Sequence, residues 1–255
     1  MPPGAAPPPG PDPLLVSAAA MVFVADPTSP QVEEADLRHL LDVLRLRAGE
    51  TVIAGDGAGR WVPCRVGGSA AHGARRADPG SVLVPDGPAV VEVPPLPAVT
   101  VAFAPTKGDL PEWVVQKLTE LGVDRIVPLR TSRSVVRWEG DRADKAVERL
   151  RRVAREAAAQ SRRSRLPEIT GVCRLDEVAA RVGGPVSLAE PGGAAPGLDR
   201  PTLAIGPEGG WDPSERDAFG VGVGLGTTVL RAETAAVVAG TLLCGLRSAV
   251  VLPLA

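Results

Sequence analysis

Aromatic side chains are scarce in this chain of 255 residues: three Phe, four Trp and no Tyr. That argues against a surface that grips nucleic acid mainly by stacking bases on rings. Histidine is as rare, with only His39 and His72. The three cysteines, Cys64, Cys173 and Cys244, lie far apart. No CxxC and no Cys/His cluster occurs, so neither a disulfide framework nor a zinc site is expected, and no metal ligand is assigned. The thiols read as buried and reduced. An excess of one charge is also missing. Lys plus Arg is 28 and Asp plus Glu is 30, a formal net charge of -2. Taken alone, that argues against a uniformly basic nucleic-acid binder. No apolar run is long enough for a membrane span. The one starting at Ala235 is interrupted by Arg247 and followed by Pro253, and reads as a buried helix at a subunit interface. Residues 1–20 hold seven prolines and no Lys or Arg, so the positive start of a signal peptide is absent. They read as a disordered, Pro-rich tail, or as a misplaced start ahead of Met21.

What is present falls into two styles. At roughly 150 residues per domain, the length allows one large domain or two small ones. From residue 21 to 93 the text is short and strand-like, at 21–24, 50–56, 60–66, 81–86 and 89–93, with Gly, Pro and Asp turns between. One helical stretch, 33–46, interrupts it. Strands at this spacing predict a small barrel. Pro94-Pro95-Leu96-Pro97 is a stiff linker. From 97 to 255 strands alternate with helices, predicting a parallel sheet with helices on both faces. Within it, strands are expected at 99–105, 124–129, 185–190, 202–207 and 227–231. Helices are expected at 109–122, 141–163, 212–220 and from 233 onward.

Glycine is plentiful, at 29 residues, but no dinucleotide fingerprint forms. In the run Gly220–Gly226 the required last glycine is Leu225 or Thr227, and the run from Gly55 ends on Arg60. No phosphate loop with GK[ST] exists, so nicotinamide and nucleoside-triphosphate chemistry lose their main support. Gly206-Pro207-Glu208-Gly209-Gly210 is different. It follows a strand and precedes a helix capped by Asp212 and Pro213, at the strand end where open α/β sheets bind ligands. A second constellation runs from Leu225 to Ala235, with Arg231 closing a short strand and Glu233 opening a helix. Each alone is as well read as a plain turn or a capping pair. Two at one sheet edge say more. Charge is also concentrated locally. Between Arg130 and Arg165 twelve Lys or Arg face five Asp or Glu, a local excess of +7. Arg-rich excess of this kind favours bidentate phosphate contact over a merely solvated helix.

The ordered pair GPEGG and LGxxxLRxETA resembles the 16S ribosomal RNA uridine N3-methyltransferase family, of the knotted SPOUT class. Further matches are Gln116-Lys117, Glu120-Leu121-Gly122-Val123, Gln160-Ser161-Arg162-Arg163 and Pro167-Glu168-Ile169. In the first part Val43-Leu44-Arg45-Leu46, Gly49-Glu50 and Asp56-Gly57 match as well. The resemblance covers Val22 to Val250. Two positions depart from it. Ala20-Met21-Val22-Phe23-Val24 carries no Arg where the family opens on a basic, aromatic strand, and Ala159 stands where the family often has Glu.

The resemblance implies an α/β architecture with an N-terminal PUA-like β-barrel at 21–93 for RNA binding. A SPOUT methyltransferase domain with a trefoil knot would occupy 97–255. It implies S-adenosylmethionine as cofactor, a homodimer, small-subunit ribosomal RNA as partner, and a cytoplasmic location without membrane contact. The cofactor would lie among Leu188, Ala189, Glu190, Ile205, Gly206, Pro207, Glu208, Gly209, Gly210, Leu225, Gly226, Val229, Leu230, Arg231 and Thr234. RNA would be held by Arg45, Arg133, Arg152, Arg155, Arg162 and Arg163.

The methyl group is already electrophilic on sulfur, so the protein mainly positions two partners in line. Uridine N3 must lose a proton, and a nearby cation stabilises the negative charge that develops. Arg231 is the first candidate, with Glu233 orienting it or accepting the proton. Two other readings stay open. One is a SPOUT methyltransferase with a different RNA target. The other is a non-catalytic RNA-binding or ribosome-assembly module of the same fold.

Overall fold

The computed structural model describes residues 10–68, 80–220 and 222–252. They form two compact units. One holds residues 10–94 together with Arg155–Leu166; the other holds 95–154 and 167–252. The boundary at the proline linker was expected. The transfer of Arg155–Leu166 to the N-terminal unit was not.

The N-terminal unit begins earlier than the sequence implied. Asp12 caps a short helix, α1 (Pro13–Ser17), by accepting the Leu14 amide at 2.8 Å, with Pro13 pre-set in the first turn. Leu15 and Ala18 are buried against Met21, Phe23, Ile53, Trp61 and Ala158. The tail expected over 1–20 is therefore ordered from residue 13, because two of its apolar residues complete a core. Residues 1–9 of that tail lie outside the described residues.

The strands are β1 (Ala20–Phe23), β2 (Thr51–Gly55), β3 (Arg60–Val66), β4 (Leu83–Pro85) and β5 (Val90–Val91). Between β1 and β2 lies helix α2 (Glu34–Arg38), which continues as a wider π-helical turn over His39–Val43. β1 pairs parallel with β2; β2–β3, β3–β4 and β3–β5 are antiparallel. Alternate residues point to opposite faces of a strand, and here both faces are covered. Val22, Val52, Ala54, Val62 and Cys64 pack with Leu37, Leu40 and Leu41. Met21, Phe23, Ile53 and Trp61 pack with Leu15 and Ala158.

Cys64 is fully buried at the centre of β3, and burial pushes its thiol up to about 11. Burial raises the Cys173 thiol as well. Cys64 is protonated in the fold at pH values where the unfolded thiol, near 9.0, ionises. Its contribution to stability is full below about 9 and is lost as pH rises through about 11. The expected result is a melting temperature that falls over this interval. In the same experiment, iodoacetamide labels Cys64 at neutral pH only after denaturation. Rapid labelling of the folded protein contradicts this.

In the C-terminal unit the elements in order are β6 (Thr100–Phe103), α3 (Leu110–Glu120), β7 (Arg125–Arg130), α4 (Gly140–Gln160), β8 (Glu168–Ile169) and β9 (Cys173–Arg174). They continue with α5 (Leu175–Val182), β10 (Val186–Ala194), β11 (Thr202–Ile205), α6 (Pro213–Phe219), β12 (Gly222–Val223) and α7 (Ala232–Arg247). The sheet runs β12-β10-β11-β6-β7-β8 and every pair is parallel. Val101, Phe103, Ile126, Leu203 and Ile205 face residues of α3, α4 and α7. Ala102, Val127, Leu129, Ala204 and Leu188 face Val178 of α5 and Trp211. Both faces are buried, as parallel strands require.

Two local expectations fail. The strand placed at 227–231 does not form. Pairing with β10 is made instead by Gly222–Val223 and the Gly224 amide, and the chain beyond leaves the sheet with Val229 exposed. α5 was missed, although Gly183, left-handed at φ 68°, marks its end.

Candidate functional site

In the sheet order, β11 separates β10 from β6, while the chain runs β10, β11, then jumps back over β10 to β12. Crevices at such reversals, beyond the carboxyl ends of parallel strands, are where open sheets take ligands. A cavity of about 470 Å³ opens there. Its walls are the middle of β10 (Ala189, Glu190, Pro191), Ile205 and the loop after β11 (Gly206 to Glu208, Gly210, Trp211), and the segment 225–235.

The loop after β11 is shaped by glycine. A Cβ on Gly206 would lie 3.0 Å from the Trp211 indole, so glycine lets the ring close over the turn without being displaced. Trp211 is buried and donates its indole N–H to the Ala189 carbonyl at 3.2 Å, tying the loop after β11 to the middle of β10. Gly210 and Gly226 both line the cavity at positive φ, 69° and 152°, and a Cβ on either would meet no atom within 4 Å. These are stretches of backbone that a ligand can approach closely.

α6 starts immediately after. Asp212 accepts the Ser214 amide at 3.1 Å and Glu215 accepts the Asp212 amide at 2.9 Å, a reciprocal cap. The Ser214 hydroxyl and amide, and then the Arg133 charge, hold the Asp212 carboxyl below the usual carboxylate range. On the cavity wall Glu190 pairs with Arg216 at 2.5 Å.

Of the cofactor residues named from the sequence, twelve line this one cavity: Ala189, Glu190, Ile205, Gly206, Pro207, Glu208, Gly210, Leu225, Gly226, Val229, Leu230 and Arg231. Leu188 is buried in the sheet core, Gly209 turns its carbonyl toward Arg133, and Thr234 is exposed on α7; none of the three lines it. Arg231 caps α7 through its backbone alone, its carbonyl accepting the Ala235 amide at 2.8 Å. Its side chain and that of Glu233 make no hydrogen bond or ion pair among the described residues, so the pair is not a cap. Sequence reasoning missed Trp211 and Arg216. Their signal was an aromatic closing a glycine turn and a basic residue one turn into the next helix.

The arginines divide differently from the sequence picture. Arg155 donates to the Phe23 carbonyl at 2.7 Å and to Asp36 at 3.2 Å, and its guanidinium lies 5.4 Å from the Phe23 ring centroid. Arg162 donates to the carbonyls of Ala159, Ala18 and Ala19, and burial lowers its pKa. Both are committed inward. Arg133 binds the glycine loop, donating to the Gly209 carbonyl at 3.2 Å and lying 3.7 Å from Asp212. Beside it, the Ser132 amide donates to Glu215 at 2.9 Å. Arg163 is half-buried, while Arg45 and Arg152 are exposed. No cluster of three or more metal-ligating side chains forms among the described residues.

A doubly wound parallel sheet with glycine loops and an uncommitted arginine at its carboxyl edge, joined to a small β unit, is the layout of an RNA methyltransferase. The family described as RNA methyltransferase domain matches residues 94–244, and the RNA methyltransferase PUA domain matches 32–72. Ribosomal RNA small subunit methyltransferase E of Mycobacterium bovis is 37% identical over 224 residues, 79% of this chain and 80% of that protein. The chain belongs to the ribosomal RNA small subunit methyltransferase E family. Among solved structures, a probable rRNA-methyltransferase from Porphyromonas gingivalis aligns over 91% of this chain and 100% of its own, with 27% identity and a TM-score of 0.74. A ribosomal RNA small subunit methyltransferase E from Neisseria gonorrhoeae, bound to S-adenosyl methionine, shares the fold at a TM-score of 0.72. Its identity is 23%, with 89% of this chain and 97% of that one covered.

Proposed function

We propose that the chain transfers a methyl group from S-adenosylmethionine to N3 of a uridine in 16S ribosomal RNA. The observation that carries this is one cavity, between the middle of β10 and the carboxyl end of β11, that collects both glycine loops and Arg231. Its volume suits a cofactor of this size, since small-molecule sites span about 300–1,000 Å³. The open backbone at Gly210 and Gly226 suits a flat nucleoside, and the exposed Glu208 complements a cation.

When bound, S-adenosylmethionine supplies an electrophilic methyl on a cationic sulfur. Held in this cavity it would give that methyl to N3 and leave as the neutral thioether, with the N3 proton passing to Glu233 or to water. Arg231 holds the negative charge on the uracil ring as that proton departs. Glu233, in the first turn of α7, makes no ion pair with Arg231 and is the candidate to take the proton.

The resemblance extends this reading to a barrel in the N-terminal unit, a trefoil knot at the cofactor loops, a homodimer and a cytoplasmic setting. Beside these loops β10 and β12 approach closely at their bulge: Gly193 lies against Gly222, and Gly224 against Gly193, nearer than a Cβ allows. No helix among the described residues is long and apolar enough to cross a membrane.

Arg133 is assigned to the cofactor loop rather than to RNA. Arg133→Met removes its bond to the Gly209 carbonyl, which costs about 1–2 kcal/mol. The expected result is a roughly tenfold weaker Kd for S-adenosylmethionine with an unchanged salt dependence of RNA binding. Calorimetry and filter binding measure the two. The function itself is tested by incubating the protein with S-adenosylmethionine and unmethylated small subunits, then analysing the RNA nucleosides by mass spectrometry. 3-Methyluridine is expected; its absence refutes the proposal.

A further inference from the structure

We infer that one face of α4, carried by Arg142, Lys145 and Arg152, is a track for the phosphodiester backbone of the RNA; this rests on the RNA methyltransferase reading above. At about 100° per residue, Arg142, Lys145, Arg149 and Arg152 fall within about 80° of one another around the helix. Asp141, Asp144 and Glu148 occupy the adjoining strip of about 60°. The helix thus sorts its charges into a basic stripe bordered by an acidic one. The apolar side, including Ala146, Val147, Leu150 and Ala154, is buried.

The four cations differ in what they already hold. Arg149 is anchored to Glu112 of α3, and Arg151, outside the stripe, to Glu148 and the Ile169 carbonyl. Arg142, Lys145 and Arg152 are exposed and make no ion pair or hydrogen bond among the described residues. From Arg142 to Arg152 the stripe rises about 15 Å, at about 1.5 Å per residue, before Glu156 ends it. No large apolar side chain of α4 is exposed. Protein partners bury an apolar core; a row of unpaired cations without one fits a polyanion. The acidic strip repels phosphates and so confines the backbone to one line.

The test uses the full chain, S-adenosylmethionine and unmethylated small subunits, comparing wild type with R142Q/K145Q/R152Q. Each lost phosphate contact removes about 0.7 to 0.9 from the log–log salt slope. The variant's KM for subunits is expected to rise more than tenfold at about 100 mM salt, with the slope flatter by about 2. Its kcat at saturating subunits, Kd for S-adenosylmethionine and melting temperature stay at wild-type values. R142K/R152K, which keeps the charge, stays near wild type in KM. An unchanged KM and slope in the triple variant, with wild type active, overturns the track alone. Wild-type protein that transfers no methyl group overturns the function and the track together.

Discussion

Arg231→Ala cuts kcat for methyl transfer by a hundredfold or more, while affinity for S-adenosylmethionine stays within about tenfold. The side chain is exposed at the start of α7, on the wall of the cavity, with no partner among the described residues. Removing it therefore breaks nothing in the fold. The cap of α7 survives, because it is made by the Arg231 carbonyl. On the proposed reading, what is lost is a cation placed where charge develops on the base. Deleting one such stabilising group costs about 10²–10³ in kcat. Arg231→Lys keeps the charge but loses the planar fork, and recovers only part of the rate. Stopped-flow transfer kinetics alongside calorimetry separate the outcomes. A loss of several orders in cofactor affinity, with kcat intact, makes Arg231 a binding residue instead.

Gly193→Val disrupts the cofactor site and the fold together. A Cβ at Gly193 would sit 2.5 Å from the Gly222 carbonyl carbon and 2.6 Å from the Val223 amide nitrogen. A Cβ on Gly224 would lie 2.8 Å from the Gly193 carbonyl oxygen. These are backbone atoms, which cannot swing aside as the end of a side chain does. They also belong to the β10–β12 pairing, where Ala189 and Ala194 both pair with Val223 across a bulge. Overpacking in tight interiors costs about 1–3 kcal/mol, and more where backbone must move. A loss of about 3 kcal/mol or more is expected in urea unfolding, with cofactor binding abolished because Ala189 and Glu190 form one cavity wall. Gly184→Ala is the control. A Cβ there meets nothing within 4 Å, and its stability stays within about 0.5 kcal/mol of wild type. Equal behaviour of the two variants contradicts the close crossing.

Local patterns made much of this protein legible. Short apolar runs bounded by turn residues placed β2 and β3 almost to the residue, because strands buried on both faces still carry their turns at each end. Asp212, Pro213 and Glu215 announced α6, since a cap is an interaction between near neighbours. The glycine loop was legible because few side chains permit its backbone. The segment at 227–231 misled for the opposite reason. Thr228, Val229 and Leu230 have strand propensity, but the pairing edge of β10 is already taken by Gly222–Val223. Likewise Gly222 and Gly224, read from the sequence as part of a failed dinucleotide fingerprint, let the backbone approach Gly193 closely.

The sequence by itself determined most of the strands and helices in the second part and the two loops that form the cavity. Each depends on interactions within a few residues, which residue order controls directly. Only the tertiary structure decided which arginines remain available. Arg155 meets Asp36 across 119 positions, Arg162 meets Ala18 across 144, and Arg133 meets Gly209 across 76. A guanidinium's donors are directed by whatever acceptors the fold brings near, and composition carries no record of that. The local +7 excess was real in the sequence. Folding bound Arg133, Arg155 and Arg162 to distant acceptors and left Arg142, Lys145 and Arg152 in solvent.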